Sequence, residues 1–193
     1  MPHSDARGPR GGADAGRRAL LLGLPALLGL PALLLAGCDK AVGTVLPEVE
    51  LAGLPGLPAA DGSLVPGFTR DTFRRGPALL NIWASWCPDC RAEHDQLMRL
   101  ARDGRRMLGL VFRDKPEAAA SYLRRAGNPF AAVAMDDGGI ARLLGQKGVP
   151  YSYVLSGRGR VLARVAGSLD ERAIAETIMP AFRKAAGEGA ATG

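Results

Sequence analysis

Two of the three cysteines, Cys87 and Cys90, follow the run Ala78-Leu79-Leu80-Asn81-Ile82-Trp83-Ala84 after Ser85 and Trp86, with Pro88 and Asp89 between them. A short, nearly unbroken apolar run reads as a buried strand, and residues 88–102 read as a helix. The spacing therefore predicts that the first sulfur stands at a helix N-terminus, over backbone N–H groups that have no intrahelical partner. That position favours a thiolate, the species that attacks disulfides. Pro88 suits the first helical turn, because the N–H it lacks has no partner there. A CxxC pair is also half of a zinc site. The other Cys and His residues are His3, Cys38 and His94, and the first two lie in the N-terminal segment, so the ligand count favours redox chemistry and no metal.

The rest of the pattern builds a sheet around that junction. Residues 107–112 read as a strand, and Asp114 with Glu117 as a capping-box-like start of a helix through Arg125, closed by Gly127. Residues 130–135 form the next strand and 139–144 a short helix. Residues 151–155 and 161–166 make a hairpin turned by Gly157-Arg158-Gly159. Ser168 with Glu171 is expected to cap a last helix, which Pro180 kinks. Strands alternating with helices and ending in a hairpin indicate an α/β fold with a mixed central sheet flanked by helices. Gly148-Val149-Pro150 leads into the hairpin, a place where a cis X-Pro bond can be used. The Val149 backbone then offers its N–H and C=O to an extended substrate segment.

The first 37 residues read as an address. Arg7, Arg10, Arg17 and Arg18 precede an uncharged run of nineteen residues, 19–37. At about 1.5 Å per residue this run barely spans a bilayer core of about 30 Å, and Pro25 and Pro31 interrupt it. It ends in Leu35-Ala36-Gly37-Cys38, which resembles the lipobox of bacterial lipoproteins, where the cysteine is lipidated. Asp39 is similar to an inner-membrane retention signal, and Arg17-Arg18 to a weak twin-arginine signal. An uncleaved anchor and an ordinary signal peptide stay open as alternatives, and each places the domain outside the cytosol.

The 25 basic and 19 acidic residues leave a net charge of +6. The cations fall in pairs such as Arg74-Arg75, Arg105-Arg106 and Arg124-Arg125, without interleaved aromatics, which argues against nucleic-acid binding. Weak attraction to an anionic membrane surface is in keeping with this charge. With 47% apolar residues the chain is no disordered polymer, and three cysteines cannot staple a coreless scaffold. Only ten aromatics are present, so Leu, Val, Ile and Ala fill the core.

Taken together, the WCxxC motif, the βαβ run and the late Val149-Pro150 resemble the thioredoxin superfamily, in which a cis-proline packs beside the disulfide. The stretch Asn81-Ile82-Trp83-Ala84-Ser85-Trp86-Cys87-Pro88-Asp89-Cys90-Arg91-Ala92-Glu93-His94 is similar to the DsbE/CcmG family of cytochrome c biogenesis. Phe112-Arg113-Asp114-Lys115-Pro116-Glu117 and Gly127-Asn128-Pro129-Phe130 fall at that family's spacings. The resemblance implies a thioredoxin-like fold over 64–186; before it the chain reads as a targeting segment over 1–37 and an attachment site and linker, rich in Pro and Gly, over 38–63, and after it as a flexible tail over 187–193. It further implies a monomeric periplasmic reductant, held at the inner membrane, that keeps the haem-attachment cysteines of apocytochrome c reduced. A transmembrane thiol donor of the DsbD/CcdA type recharges it, and no cofactor is called for. The family usually carries an acidic residue after the cis-proline, where this chain has Tyr151. A general periplasmic reductase of the TlpA/ResA kind is the alternative, and a copper chaperone a more distant one.

Within this reading Cys87 is the nucleophile and Cys90 the resolving thiol, supported by Trp86, Pro88, Asp89, Glu93, Val149 and Pro150. Glu93, three residues after Cys90, is a candidate to hand protons to the buried thiol, with an ordinary surface glutamate as the alternative. His94 is expected to be a partly exposed bystander. Asn81 stands where cytosolic thioredoxins carry a buried proton-accepting aspartate. Asp136-Asp137-Gly138-Gly139 reads as a turn and helix start, or else as the lining of a groove.

Overall fold

The computed structural model describes residues 40–190. Five strands form one sheet in the order β3-β2-β1-β4-β5: β1 (Ala78–Trp83), β2 (Met107–Val111), β3 (Ala132–Met135), β4 (Tyr151–Leu155) and β5 (Val161–Ala166). β1, β2 and β3 run parallel, and β4 and β5 are antiparallel, so the sheet is mixed. The strand order follows from the connections. Helical crossovers join the parallel strands and a tight turn joins the hairpin. All six residues of β1 are buried, as a central strand covered on both faces requires.

Alternation along β1 sorts the core into two layers. Leu79 and Trp83 face the side packed by α1 (Pro88–Ala92), α2 (His94–Arg102), α3 (Pro116–Ala126) and the C-terminal helix, through Leu97, Leu100, Leu123 and Phe182. Ala78, Leu80 and Ile82 face the other layer, with Phe68, Phe73 and the residues Ile140, Ala141 and Leu144 of and beside α4 (Gly139–Leu143). One glycine matters to the site. A Cβ on Gly109 of β2 would come within 2.8 Å of the Phe130 ring, so its absence lets that ring lie against the sheet. Phe130 in turn stacks on Trp83, with centroids 5.9 Å apart.

Three local expectations are corrected. Residues 40–63, read from their Pro and Gly content as linker, are packed onto the sheet. Leu46, Leu54 and Leu57 are buried, and Leu51 bridges Phe68 while Gly53 bridges Ala134. The leucines between the prolines act as anchors, which composition alone does not reveal. Asp114 does not cap α3, whose N-cap is Lys115 with no side-chain hydrogen bond. Ser168 does not cap the last helix either. The cap is Asp170, whose Oδ1 accepts the Ala173 N–H at 2.6 Å, because a cap must directly precede the first helical residue. That helix opens as α5 (Glu171–Ala173), widens into a π-helical stretch at Ile174–Ile178 and continues as α6 (Met179–Ala190). The wide turns take up Pro180, which offers no N–H to the preceding turn. Among the described residues no helix is long and apolar enough to cross a membrane. Cys38 and the rest of the targeting segment lie outside the described residues.

Candidate active site

The chain leaves β1 at Trp83, turns through Ser85 and Trp86, and enters α1 with Cys87 as its N-cap. Cys87 and Cys90 are paired as a disulfide, their Cα atoms 5.3 Å apart. The Cys90 N–H donates to Cys87 Sγ at 3.2 Å, so a helix-start donor points at the first sulfur, as the spacing predicts. The first cysteine of a CxxC pair at a helix start is ordinarily the exposed one, and here it is not. Both cysteines are buried, with Val149 packed against the apolar cluster that holds them. Trp86 is itself 54% exposed, and Pro88 and Asp89 are exposed, so the rim is apolar on one side and acidic on the other.

Opposite the disulfide, the Val149-Pro150 bond is cis, and the Val149 carbonyl oxygen lies 3.8 Å from Cys87 Sγ. Tyr151, next along β4, stacks on Tyr153, and the Arg164 guanidinium lies 4.9 Å over its ring. An aromatic ring under a cation therefore occupies the place after the cis-proline.

The Trp86 turn is fixed by residues outside the CxxC motif. Asp114 Oδ2 accepts the Ser85 N–H at 2.5 Å, and the Ser85 carbonyl accepts from Arg91 Nε at 2.8 Å. Trp86 Nε1 donates to the Arg113 carbonyl at 3.0 Å, and Arg113 holds a left-handed backbone, φ 49°, that non-glycine residues rarely adopt. Sequence reasoning took Asp114 for a helix cap and passed over the other two. Its signal was an Asp close to a helix start, which fits either job.

Beneath the disulfide lies a buried polar cluster. Glu93 is 1% exposed, and its Oε1 accepts from Asn81 Nδ2 at 2.8 Å while its Oε2 accepts the Leu169 N–H at 2.7 Å. Asn81 also donates to Ser152 Oγ at 3.1 Å. Burial pushes the Glu93 carboxyl up to about 7 and the Asp89 charge adds to this, while the two donors pull the other way. Asn81 thus does not simply leave the aspartate position empty. Its amide holds a carboxylate that comes from the helix instead. Asn81 and Cys90 line the same narrow space, together with Trp83 and His94. His94, expected near the surface, is buried, with Nε2 3.2 Å from the Ala126 carbonyl and its ring edge-on to Tyr122. Burial pushes its imidazole below the usual range.

Asp136 and Asp137 form the turn before α4, where Asp137 Oδ1 accepts the Gly139 N–H at 2.8 Å. They also line a cleft of about 390 Å³ with Phe112, Arg113, Arg142 and Gln146. Gln146 Nε2 donates to the Gly148 carbonyl at 2.5 Å, which ties the cleft to the segment carrying Val149.

The family model described as Redoxin matches residues 41–179. The thiol:disulfide interchange protein DsbE of Escherichia coli strain K12 is 36% identical over 153 residues, 77% of this chain and 78% of that protein. The DsbE of Haemophilus influenzae is 39% identical over 119 residues, 61% of this chain and 66% of that protein. Among solved structures, a secreted disulfide oxidoreductase of Mycobacterium tuberculosis homologous to E. coli DsbE superposes with a TM-score of 0.52 at 20% identity, covering 72% of this chain and 95% of that one. A thioredoxin family thiol:disulfide interchange protein of Chlorobium tepidum gives 0.51 at 19% identity, covering 71% and 97%.

Proposed function

We propose that this chain, which belongs to the DsbE/CcmG family of the thioredoxin superfamily, reduces the haem-attachment cysteines of apocytochrome c from the periplasmic face of the inner membrane. The family's chemistry is thiol–disulfide exchange, and the chain is a thiol-disulfide oxidoreductase with Cys87 and Cys90 as its redox pair. The observation that carries the reading is Cys87 capping α1 beside the Val149 carbonyl, above a buried carboxylate. In the reduced state the Cys87 thiolate attacks a client disulfide, one client sulfur leaves as a thiol, and Cys90 displaces the other. The protein ends oxidised and the client reduced. An extended client segment pairs with Val149, and the cleft at Asp136 receives its continuation. A transmembrane thiol donor then restores the dithiol.

Tyr151 under Arg164, in place of an acidic group, favours a second reading as a reductase of broader clients. The two readings separate on substrate. Reduced protein should reduce an intramolecular disulfide in a CxxCH peptide at least tenfold faster than one in a peptide of unrelated sequence. Equal rates would establish the broader reading.

The direction of electron flow rests on Asp89. Its exposed carboxylate stands between Pro88 and Cys90 and opposes a thiolate at Cys87, so the reduced form gains only modest stability. We expect a reduction potential nearer that of thioredoxin, about −270 mV, than that of DsbA, about −120 mV. Asp89→His should raise the potential by tens of millivolts, read by equilibration with glutathione, and a shift towards more negative values would refute the electrostatic argument.

Membrane attachment rests on the sequence at 19–38. Cys38→Ser should release the protein from the membrane fraction if lipid on that cysteine is the anchor. Retention of the variant, with an unprocessed N-terminus by mass spectrometry, would assign the anchor to the apolar run.

A further inference from the structure

The end of the domain opposite the disulfide carries features that the redox chemistry does not use. Residues 43–46 pair with the start of β5. The Gly43 N–H donates to the Val161 carbonyl at 2.8 Å, the Val161 N–H to Thr44 at 2.8 Å and the Leu46 N–H to Gly159 at 2.9 Å. This pairing turns Ala41 and Leu46 inward and leaves Val42 and Val45 46% and 47% exposed. Around the two valines stand the exposed cations Lys40, Arg158 and Arg160. A Cβ on Gly157 would meet Gly76 Cα at 3.6 Å, so the turn carrying exposed Arg75 lies against the same end. Of the nearby carboxylates, Glu48 is taken up by Arg74 at 3.7 Å and Asp71 precedes the short 3-10 turn at Thr72–Arg74.

Strand direction fixes where this end lies. β1 runs from Ala78 towards the disulfide, and Ala78 pairs with Leu155 at the far end of β4, so the turn at 156–160 is where β1 begins. The five steps between the six residues of β1, at about 3.3 Å each, put roughly 17 Å of strand between that turn and the Cys87 end. Only Cys38 and Asp39 separate Lys40 from the apolar run that ends at Gly37. Three residues at full extension reach about 10 Å. A lipid on Cys38 and a bilayer-spanning run therefore leave an equally short connection.

We propose that this basic end, with Val42 and Val45 at its centre, rests on the anionic phospholipid surface of the membrane and holds the disulfide end away from the headgroups, one strand length out. The proposal builds on the membrane attachment proposed above. Cations close to anionic headgroups are attracted within a Debye length of about 10 Å; the short connection holds Lys40 to about that distance, and the turn carrying Arg158 and Arg160 pairs with the segment just after it. Two shallow valines suit the headgroup boundary.

The test uses the full chain in vesicles of brominated phosphatidylcholine, with or without brominated phosphatidylglycerol. Trp83 and Trp86, at the disulfide end, serve as internal controls. Wild-type fluorescence should be unaffected by bromine, whereas Val45→Trp should be quenched several-fold more in the anionic vesicles. High salt, or Arg75→Glu with Arg158→Glu, should erase that excess without changing thiol–disulfide exchange with a small dithiol. Flotation tells the two proposals apart. A chain that leaves neutral vesicles has no membrane anchor, and it must still float with anionic ones for the basic surface to stand. A chain that floats with both vesicles but shows no excess quenching of Val45→Trp keeps its anchor and overturns the basic surface. Quenching of wild-type Trp86 would show the opposite orientation and overturn it as well.

Discussion

Cys90→Ala should accumulate client proteins bound to Cys87 as mixed disulfides, and Cys87→Ala should leave no trapped species. The asymmetry follows from position. The sulfur of Cys87 is the helix cap, receives the Cys90 N–H and faces the Val149 carbonyl, where a client strand would lie. Cys90 sits one turn further in, lining the space shared with Asn81, Trp83 and His94. With Cys90 absent, no thiol displaces the client, so the trapped complex rises from trace to near stoichiometric amounts and turnover falls to background. Non-reducing gels and mass spectrometry of the trapped species read both outcomes, and equal trapping by the two variants would reverse the assigned roles.

Glu93→Gln should change stability, and the sign is set by burial. The carboxyl is pushed up to about 7 in the folded protein from an ordinary value of 4.5, chiefly by desolvation. Between those values the folded protein keeps a proton that the unfolded chain has lost. The stabilisation is full below about pH 4.5 and is lost as pH rises through about 7. The separation corresponds to about 3 kcal/mol lost between pH 4 and pH 8. Glutamine carries no charge at either pH, so denaturant titrations should show this part of the slope missing in the variant. Parallel pH profiles for the two proteins would show that Glu93 does not titrate there. The same carboxylate is expected to take the Cys90 proton during resolution, and the pH dependence of exchange tests that expectation. Exchange in wild type should rise through an inflection near pH 7, and Glu93→Gln should lose the inflection and about 10²-fold in rate.

The parts of this protein that were legible in the sequence are those whose physics is local. The run at 78–84 followed by Cys87 and Pro88 fixes a strand, a turn and a helix start within a dozen residues, and the structure places the sulfur at the N-cap. The hairpin was legible for the same reason. Its turn residues at 157–159 and the two apolar runs lie side by side in the chain, and the strands fall at Tyr151–Leu155 and Val161–Ala166.

What tertiary structure decided were the tasks of polar residues and the fate of the proline-rich stretch. Glu93 reads equally well as a surface glutamate or a buried acid. Its burial depends on Asn81, twelve residues earlier, and on the Leu169 N–H, 76 residues later. Asp114 has the same chemistry as a helix cap or as the acceptor for Ser85, and only the approach of the β2–α3 connection to the Trp86 turn selects the second. Residues 40–63 carry too little periodicity to announce a packed segment, yet Leu46, Leu54 and Leu57 find cavities that exist only once the sheet has formed. The sequence by itself determined that the first sulfur of the pair stands at a helix start, because backbone direction and helix-start donors act over a few residues. The tertiary structure decided which carboxylate lies beneath it, because burying a charge depends on groups brought from distant parts of the chain.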